Sequence, residues 1–170
     1  EITLKTYLII CPLVFLAGFV DSIAGGGGLI SMPSYILAGL PAHFAYGTNK
    51  FSSCWGTLFS MAKYIKNGKI NYKSAIFSSA GAFLGSFAGA RLALSLDERI
   101  LKYILIILLP VIALVILFKN NFGTNKDVIN ISNKKLYMLS IIIGLILGGY
   151  DGFFGPGTGT FLILAFTGII

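Results

Sequence analysis

The sequence predicts an all-α, polytopic membrane protein whose helices are broken at two glycine-rich points. Of its 170 residues, 56% are hydrophobic and only 11% are charged, whereas a soluble globular domain carries about a quarter charged residues. The apolar residues form long uncharged runs, and the basic residues gather in short clusters between them. A chain this short could not bury so much apolar surface in a water-soluble core. Low charge and high hydrophobicity also exclude disorder.

Five apolar runs predict membrane-crossing helices, because a spanning helix needs about 20 mostly apolar residues. The runs are Thr6–Val20, His43–Lys66, Ser74–Ala90, Ile100–Phe118 and Leu136–Tyr150. The third run contains Gly81, Gly85 and Gly89 at helical spacing, which places these small residues on one face. Such a face predicts that a neighbouring helix packs closely against this one.

The basic residues indicate orientation rather than nucleic-acid binding. They give the chain a formal net charge of +7, but they do not form a basic face with supporting stacking groups. Two loops hold most of them: Lys63, Lys66, Lys69 and Lys73 in one, and Lys119, Lys126, Lys134 and Lys135 in the other. The positive-inside rule predicts that both loops are cytoplasmic.

An internal repeat joins the two glycine-rich points. Residues 18–28 align with residues 148–158, so that Asp21 matches Asp151 and Gly25 matches Gly155. Each copy has an apolar helix, an acid near its end, a glycine-rich break and a shorter apolar segment. We therefore predict a first repeat over residues 1–133 and the start of a second, truncated repeat over 134–170, in one membrane domain. Interrupted spans at equivalent places of two repeats point to a transporter's binding site.

The first break, Gly25–Gly28, predicts both a chain reversal and an anion site. Residues 7–24 would enter the membrane and residues 29–39 would return toward the same side, which makes the two repeats inverted. An unwound segment survives in a membrane only where protein or a water-filled cavity surrounds it. Its backbone N–H groups and the helix N-terminus that follows favour an anion. The alternative is that these glycines only allow close helix packing.

Three motifs resemble the TauE/SafE sulfite-exporter family of bacterial membrane proteins. They are DSIAGGGGLISMP from Asp21, GTNK at Gly47–Lys50 and YDGFFGPGTG from Tyr150. The resemblance implies a multi-pass carrier of the bacterial inner membrane with two related halves. It also implies transport of sulfur-containing anions such as sulfite, sulfonates or thiosulfate. The chain departs from the family pattern because it contains no second-half counterpart of GTNK.

The candidate substrate-binding residues are those of the breaks and of the GTNK motif. They are Gly25, Gly26, Gly27, Gly28, Thr48, Asn49, Lys50, Gly155 and Gly157. Lys50 could neutralise a bound anion, because an ionisable residue inside a span is costly and is by default a functional candidate. Its alternatives are a side chain that extends to the interface, or an ion pair with Asp21 or Asp151. Those two acids either couple transport to a proton or cation, or cap the N–H groups of the breaks.

Enzyme chemistry is not expected. One His and two separated Cys form no metal-ligand cluster, so we predict no catalytic residue, no metal and no cofactor. The sequence favours a transporter of small, sulfur-containing anions, with the lipid bilayer as its other partner and no nucleic acid. An anion channel with the same site and a non-transporting membrane scaffold are the alternatives. Coupling to a proton or cation and assembly into a homo-oligomer are left open.

Overall fold

The structure, a computed structural model, describes residues 4–24, 26–68, 70–118 and 132–169. Within those ranges the chain forms seven helices and no strand, so the predicted all-α class is confirmed. The helices are α1 (Leu4–Ala24), α2 (Gly28–Leu37), α3 (Ala42–Lys66), α4 (Tyr72–Ser95), α5 (Glu98–Phe118), α6 (Asn133–Phe153) and α7 (Thr158–Ile169). The five predicted apolar runs lie inside α1, α3, α4, α5 and α6. The two short helices follow the two glycine-rich breaks.

The most extensive helix pair is α4 with α6, which meet backbone to backbone. A methyl group placed on Gly85 of α4 would collide with the Leu145 carbonyl and would lie 2.7 Å from the Gly149 nitrogen. The same collision occurs along two facing stripes, Gly81, Gly85 and Gly89 on α4 and Gly144, Gly148 and Gly152 on α6. The predicted glycine face of the third run is therefore confirmed, and its partner is α6.

A buried apolar cluster anchors the second break, residues 155–157, to the rest of the protein. Phe154, the residue directly after α6, is fully buried with Met32 of α2 and with Leu101 and Leu105 of α5. The ring of Tyr46, on α3, meets the Phe154 ring edge-on at a centroid distance of 6.3 Å. Between helices that contact lipid, close packing of such side chains stabilises the fold through van der Waals contacts. Phe154 therefore fixes the end of α6 against α2, α3 and α5.

The helix surfaces carry large apolar side chains that are exposed in the isolated chain. Phe15 on α1 is 78% exposed, and Phe83 and Leu94 on α4 are 73% and 70% exposed. Among the described residues, α6 is the one helix that is long and apolar enough to cross a membrane by its own composition. Only 22% of its most apolar stretch is buried. The core helix of a soluble protein would be mostly buried. The exposed apolar surface therefore favours contact with lipid.

Candidate functional site

The two glycine-rich breaks lie against each other in the fold. A methyl group on Gly28, the first residue of α2, would come within 3.2 Å of the Cα atom of Pro156 in the second break. Gly26 and Gly155 have φ angles of +90° and +92°. Because L side chains rarely adopt such angles, glycine lets the chain turn sharply at both points. The N-terminal ends of α2 and α7 are thereby brought to one region.

Asp21 fixes the first break. Its Oδ1 atom accepts a hydrogen bond of 2.7 Å from the backbone N–H of Gly27. A methyl group on Gly27 would lie 2.6 Å from the Asp21 Cβ atom, so the break packs closely on α1. The first N–H groups of a helix have no partner within the helix. Asp21 satisfies one such donor, which is the arrangement that its capping role requires.

Lys50 and Asp151 form an ion pair between α3 and the end of α6. The Lys50 Nζ atom lies 2.8 Å from the Asp151 Oδ1 atom, and the two side chains are 34% and 40% exposed. The ammonium group also rests against the second break, since a methyl group on Gly155 would lie 2.5 Å from Nζ. Lys50 therefore reaches across to the second break, and its partner is one of the two acids that the sequence left open.

Asn49 ties α3 to the first break from the other side. The Ser31 hydroxyl on α2 lies 2.6 Å from the Asn49 Oδ1 atom and 3.2 Å from the Gly27 carbonyl oxygen. Both side chains are buried. The hydroxyl has one hydrogen, and the shorter of the two distances favours donation to Asn49, which links the N-terminal turn of α2 to α3.

Two hydroxyl groups order the second break. The Tyr150 Oη atom donates to the Pro156 carbonyl at 2.6 Å, and the Thr158 Oγ1 atom donates to the Gly155 carbonyl at 2.6 Å. The Tyr150 ring also packs edge-on against Phe161 of α7 at 5.5 Å. These contacts hold the end of α6 and the start of α7 in a fixed geometry.

One cavity of about 690 Å³ joins these elements. Its wall contains the candidates that the breaks and the GTNK motif contribute, namely Asp21, Gly26, Gly27, Gly28, Asn49, Lys50, Asp151, Gly155 and Gly157. Its volume lies in the range of about 300–1,000 Å³ typical of ligand pockets. Among the described residues, no group of three or more His, Cys, Asp or Glu could hold a metal ion.

Two of the candidates remain, Gly25 and Thr48. Gly25 lies outside the described residues. Thr48 is exposed and lines a separate depression with His43, Phe44 and Phe51. The reason is helical geometry, since each residue of a helix points about 100° away from the one before it, and the cavity covers only part of the circumference of α3. Asn49 and Lys50 border the cavity, whereas Thr48 points away from it.

The cavity wall also contains hydroxyl groups that the sequence analysis missed. On α3 they are Ser52, Ser53, Thr57 and Ser60, and Thr158 adds one from α7. The Thr57 hydroxyl bonds to the Ser53 carbonyl at 2.6 Å. The available signal was spacing, because Asn49, Ser53, Thr57 and Ser60 recur every three or four residues and so lie on one helix face.

Comparison with known proteins finds one family model and several relatives that match most of the chain. The family model described as sulfite exporter TauE/SafE matches residues 10–170. A probable membrane transporter protein, ORF9, of Sinorhizobium sp. is 41% identical over 156 residues, covering 89% of this chain and 57% of the relative. A probable membrane transporter protein of Haemophilus influenzae is 38% identical over 152 residues, covering 89% and 58%.

The probable membrane transporter protein YfcA of Escherichia coli K12 is 36% identical over 156 residues, covering 91% of this chain and 56% of the relative. The chain thus spans somewhat more than half the length of these curated relatives. No solved structure matches it.

Proposed function

Because the chain belongs to the sulfite exporter TauE/SafE family, a family of membrane transporters, we propose that it carries a binding site for a small anion. We further propose that this anion contains sulfur, as sulfite, thiosulfate and sulfonates do. One observation supports the site most directly: the N-terminal ends of α2 and α7 and the Lys50 ammonium group border the same cavity. The proposal extends to a multi-pass protein of the bacterial inner membrane with two inverted repeats.

The helix ends supply partial positive charge. Aligned peptide dipoles place about half an elementary charge at a helix N-terminus, together with N–H groups that have no partner in the helix. Gly28 begins α2, and Gly157 directly precedes α7. Without Cβ atoms, glycines at these positions let an anion approach the backbone closely. Two such ends around one cavity favour an oxyanion more than one end alone.

Lys50 supplies the full charge, and Asn49 supplies orientation. Nζ carries three donors and forms a compact cation, which suits a tetrahedral or pyramidal oxyanion. With its Oδ1 atom already bound by Ser31, Asn49 would direct its amide N–H groups at the anion. Thr48 is left out of the proposed site because it borders a different depression.

Flux measurements test the proposal. The purified protein is reconstituted in liposomes, and uptake of labelled sulfite, thiosulfate and methanesulfonate is measured against liposomes without protein. We expect saturable uptake of at least one of these anions, with competition among those that bind. Accumulation against a concentration gradient would separate a transporter from an anion channel. Absence of uptake of every anion in the panel would overturn the proposed function.

A further inference from the structure

The two acids that match in the internal repeat have different partners in the structure. Asp21 accepts the backbone N–H of Gly27 at 2.7 Å, whereas Asp151 pairs with the Lys50 ammonium group at 2.8 Å. We infer that Asp151 is a built-in competitor that occupies Lys50 while the cavity is empty, and that the transported anion binds by displacing it. This inference rests on the proposed function, and it makes Asp151 a residue that lowers the affinity for the anion.

The position of Asp151 has no other structural explanation among the described contacts. It lies in the last turn of α6, where the negative end of the helix dipole disfavours an acid. Asp21 lies in the last turn of α1, but its carboxylate satisfies a backbone donor of the following break. The Asp151 carboxylate instead contacts the single cation on the described cavity wall.

The ion pair is accessible enough to be exchanged. Its side chains are 34% and 40% exposed, and both border the cavity. Breaking a partly exposed ion pair weakens the binding of a competing ligand by no more than about fivefold. The Lys50–Asp151 pair should therefore lower the affinity for an incoming anion only modestly. A fully buried pair would resist displacement far more strongly.

A free anion could make more favourable contacts beside Lys50 than the Asp151 carboxylate makes. The Lys50 Nζ atom rests against Gly155, close to the start of α7. The Asp151 carboxylate is tied to the α6 backbone, whereas a small anion could contact Nζ and the N-terminal N–H groups of α7 together. The other titratable side chains on the cavity wall, Asp21, Tyr35 and Cys54, contribute no cation that could replace Lys50.

Calorimetric titration with thiosulfate, a fixed dianion near neutral pH, tests the inference. The purified protein is compared with Asp151→Asn, Asp151→Ser and Asp21→Asn. We expect both Asp151 variants to bind thiosulfate about two- to fivefold more tightly, because the competitor is removed. Asp21→Asn is the matched control, since it removes the same charge from the same cavity without freeing Lys50. Its gain in affinity should be clearly smaller.

Three results would overturn the inference, and one of them would also overturn the proposed function. If the wild-type protein binds thiosulfate and neither Asp151 variant binds more tightly, Asp151 is not a competitor. If Asp21→Asn gains as much affinity as Asp151→Asn, general electrostatics explains the effect. If neither the wild-type protein nor any variant binds thiosulfate, sulfite or methanesulfonate, both the inference and the proposed function fail. If Asp151 has only a structural role, both substitutions should lower thermal stability without tightening binding. Asp151→Ser is included as a second variant in case Asp151→Asn does not fold.

Discussion

Replacement of Gly155 by alanine tests how the second break positions Lys50. Gly155 has a φ angle of +92°, and an added methyl group would lie 2.5 Å from the Lys50 Nζ atom and 3.0 Å from its Cε atom. Ordinary contacts between such atoms are about 3.5–4.0 Å. The ammonium group must therefore move by about 1 Å or more. That displacement would open the 2.8 Å pair with Asp151.

Two effects of Gly155→Ala can be separated by their size. The backbone strain of an L residue at this φ should lower the free energy of unfolding by about 1–3 kcal/mol. The collision itself adds little, because the end of a lysine side chain can rotate away. Opening the pair brings no gain in affinity here, because the displaced Nζ atom no longer lies where the proposed anion binds. Loss of that charge-assisted contact, worth about 1.5–3 kcal/mol, should weaken anion binding by at least about tenfold.

Gly39→Ala is the matched control for this variant. Gly39 follows α2, has a φ angle of +87° and has open space where a methyl group would go. It should show the same backbone strain with no effect on Lys50. The assay compares thermal unfolding and thiosulfate uptake of the two variants. We expect similar stability losses and a transport defect only in Gly155→Ala; equal uptake by both variants would refute the positioning role of Gly155.

Two further substitutions test the packing that holds the site. Gly85→Ala should lower the free energy of unfolding by more than about 2 kcal/mol, because its methyl group meets the α6 backbone. Gly47→Ala is the control, since its helical position has open space, and it should be neutral or stabilising by up to about 1 kcal/mol. Equal unfolding midpoints for Gly85→Ala and Gly47→Ala would contradict the close α4–α6 packing. Asp21→Ala should lower the free energy of unfolding by about 1–2 kcal/mol, because it removes the acceptor of the Gly27 N–H group. Asp21→Asn keeps an acceptor and should retain most of the stability. Chemical denaturation of the two variants measures the difference.

The helices were predictable from the sequence because their signals are local. Each apolar run is long, and glycine interrupts the pattern where the chain turns. The stripe of Gly81, Gly85 and Gly89 predicted close packing by its spacing alone. Its partner could not be identified in the same way, since the choice of α6 depends on the facing stripe and on the path of the whole chain.

The sequence predicted most residues of the candidate site, but it did not predict which of them contact each other. The sequence brought Lys50, Asp21 and Asp151 into consideration together, because charges inside apolar runs are rare. Which acid pairs with Lys50 depends on how α6 packs, and the two acids occupy equivalent positions in the predicted repeat. Thr48 is grouped with the candidate site because it is adjacent to Asn49 in sequence. On the helix it lies on another surface.

Uptake of labelled thiosulfate and sulfite by liposomes containing Lys50 variants tests the proposed anion site most directly. Lys50→Ala should reduce uptake at low substrate concentration by about 10- to 150-fold, the effect of losing one charge-assisted contact. Lys50→Arg should fall between wild type and Lys50→Ala, because a planar guanidinium group replaces a compact ammonium group. Thr48→Ala, the neighbouring control outside the cavity, should match wild type. Unchanged uptake by Lys50→Ala, at normal expression and reconstitution, would contradict the assignment of Lys50 to the anion site.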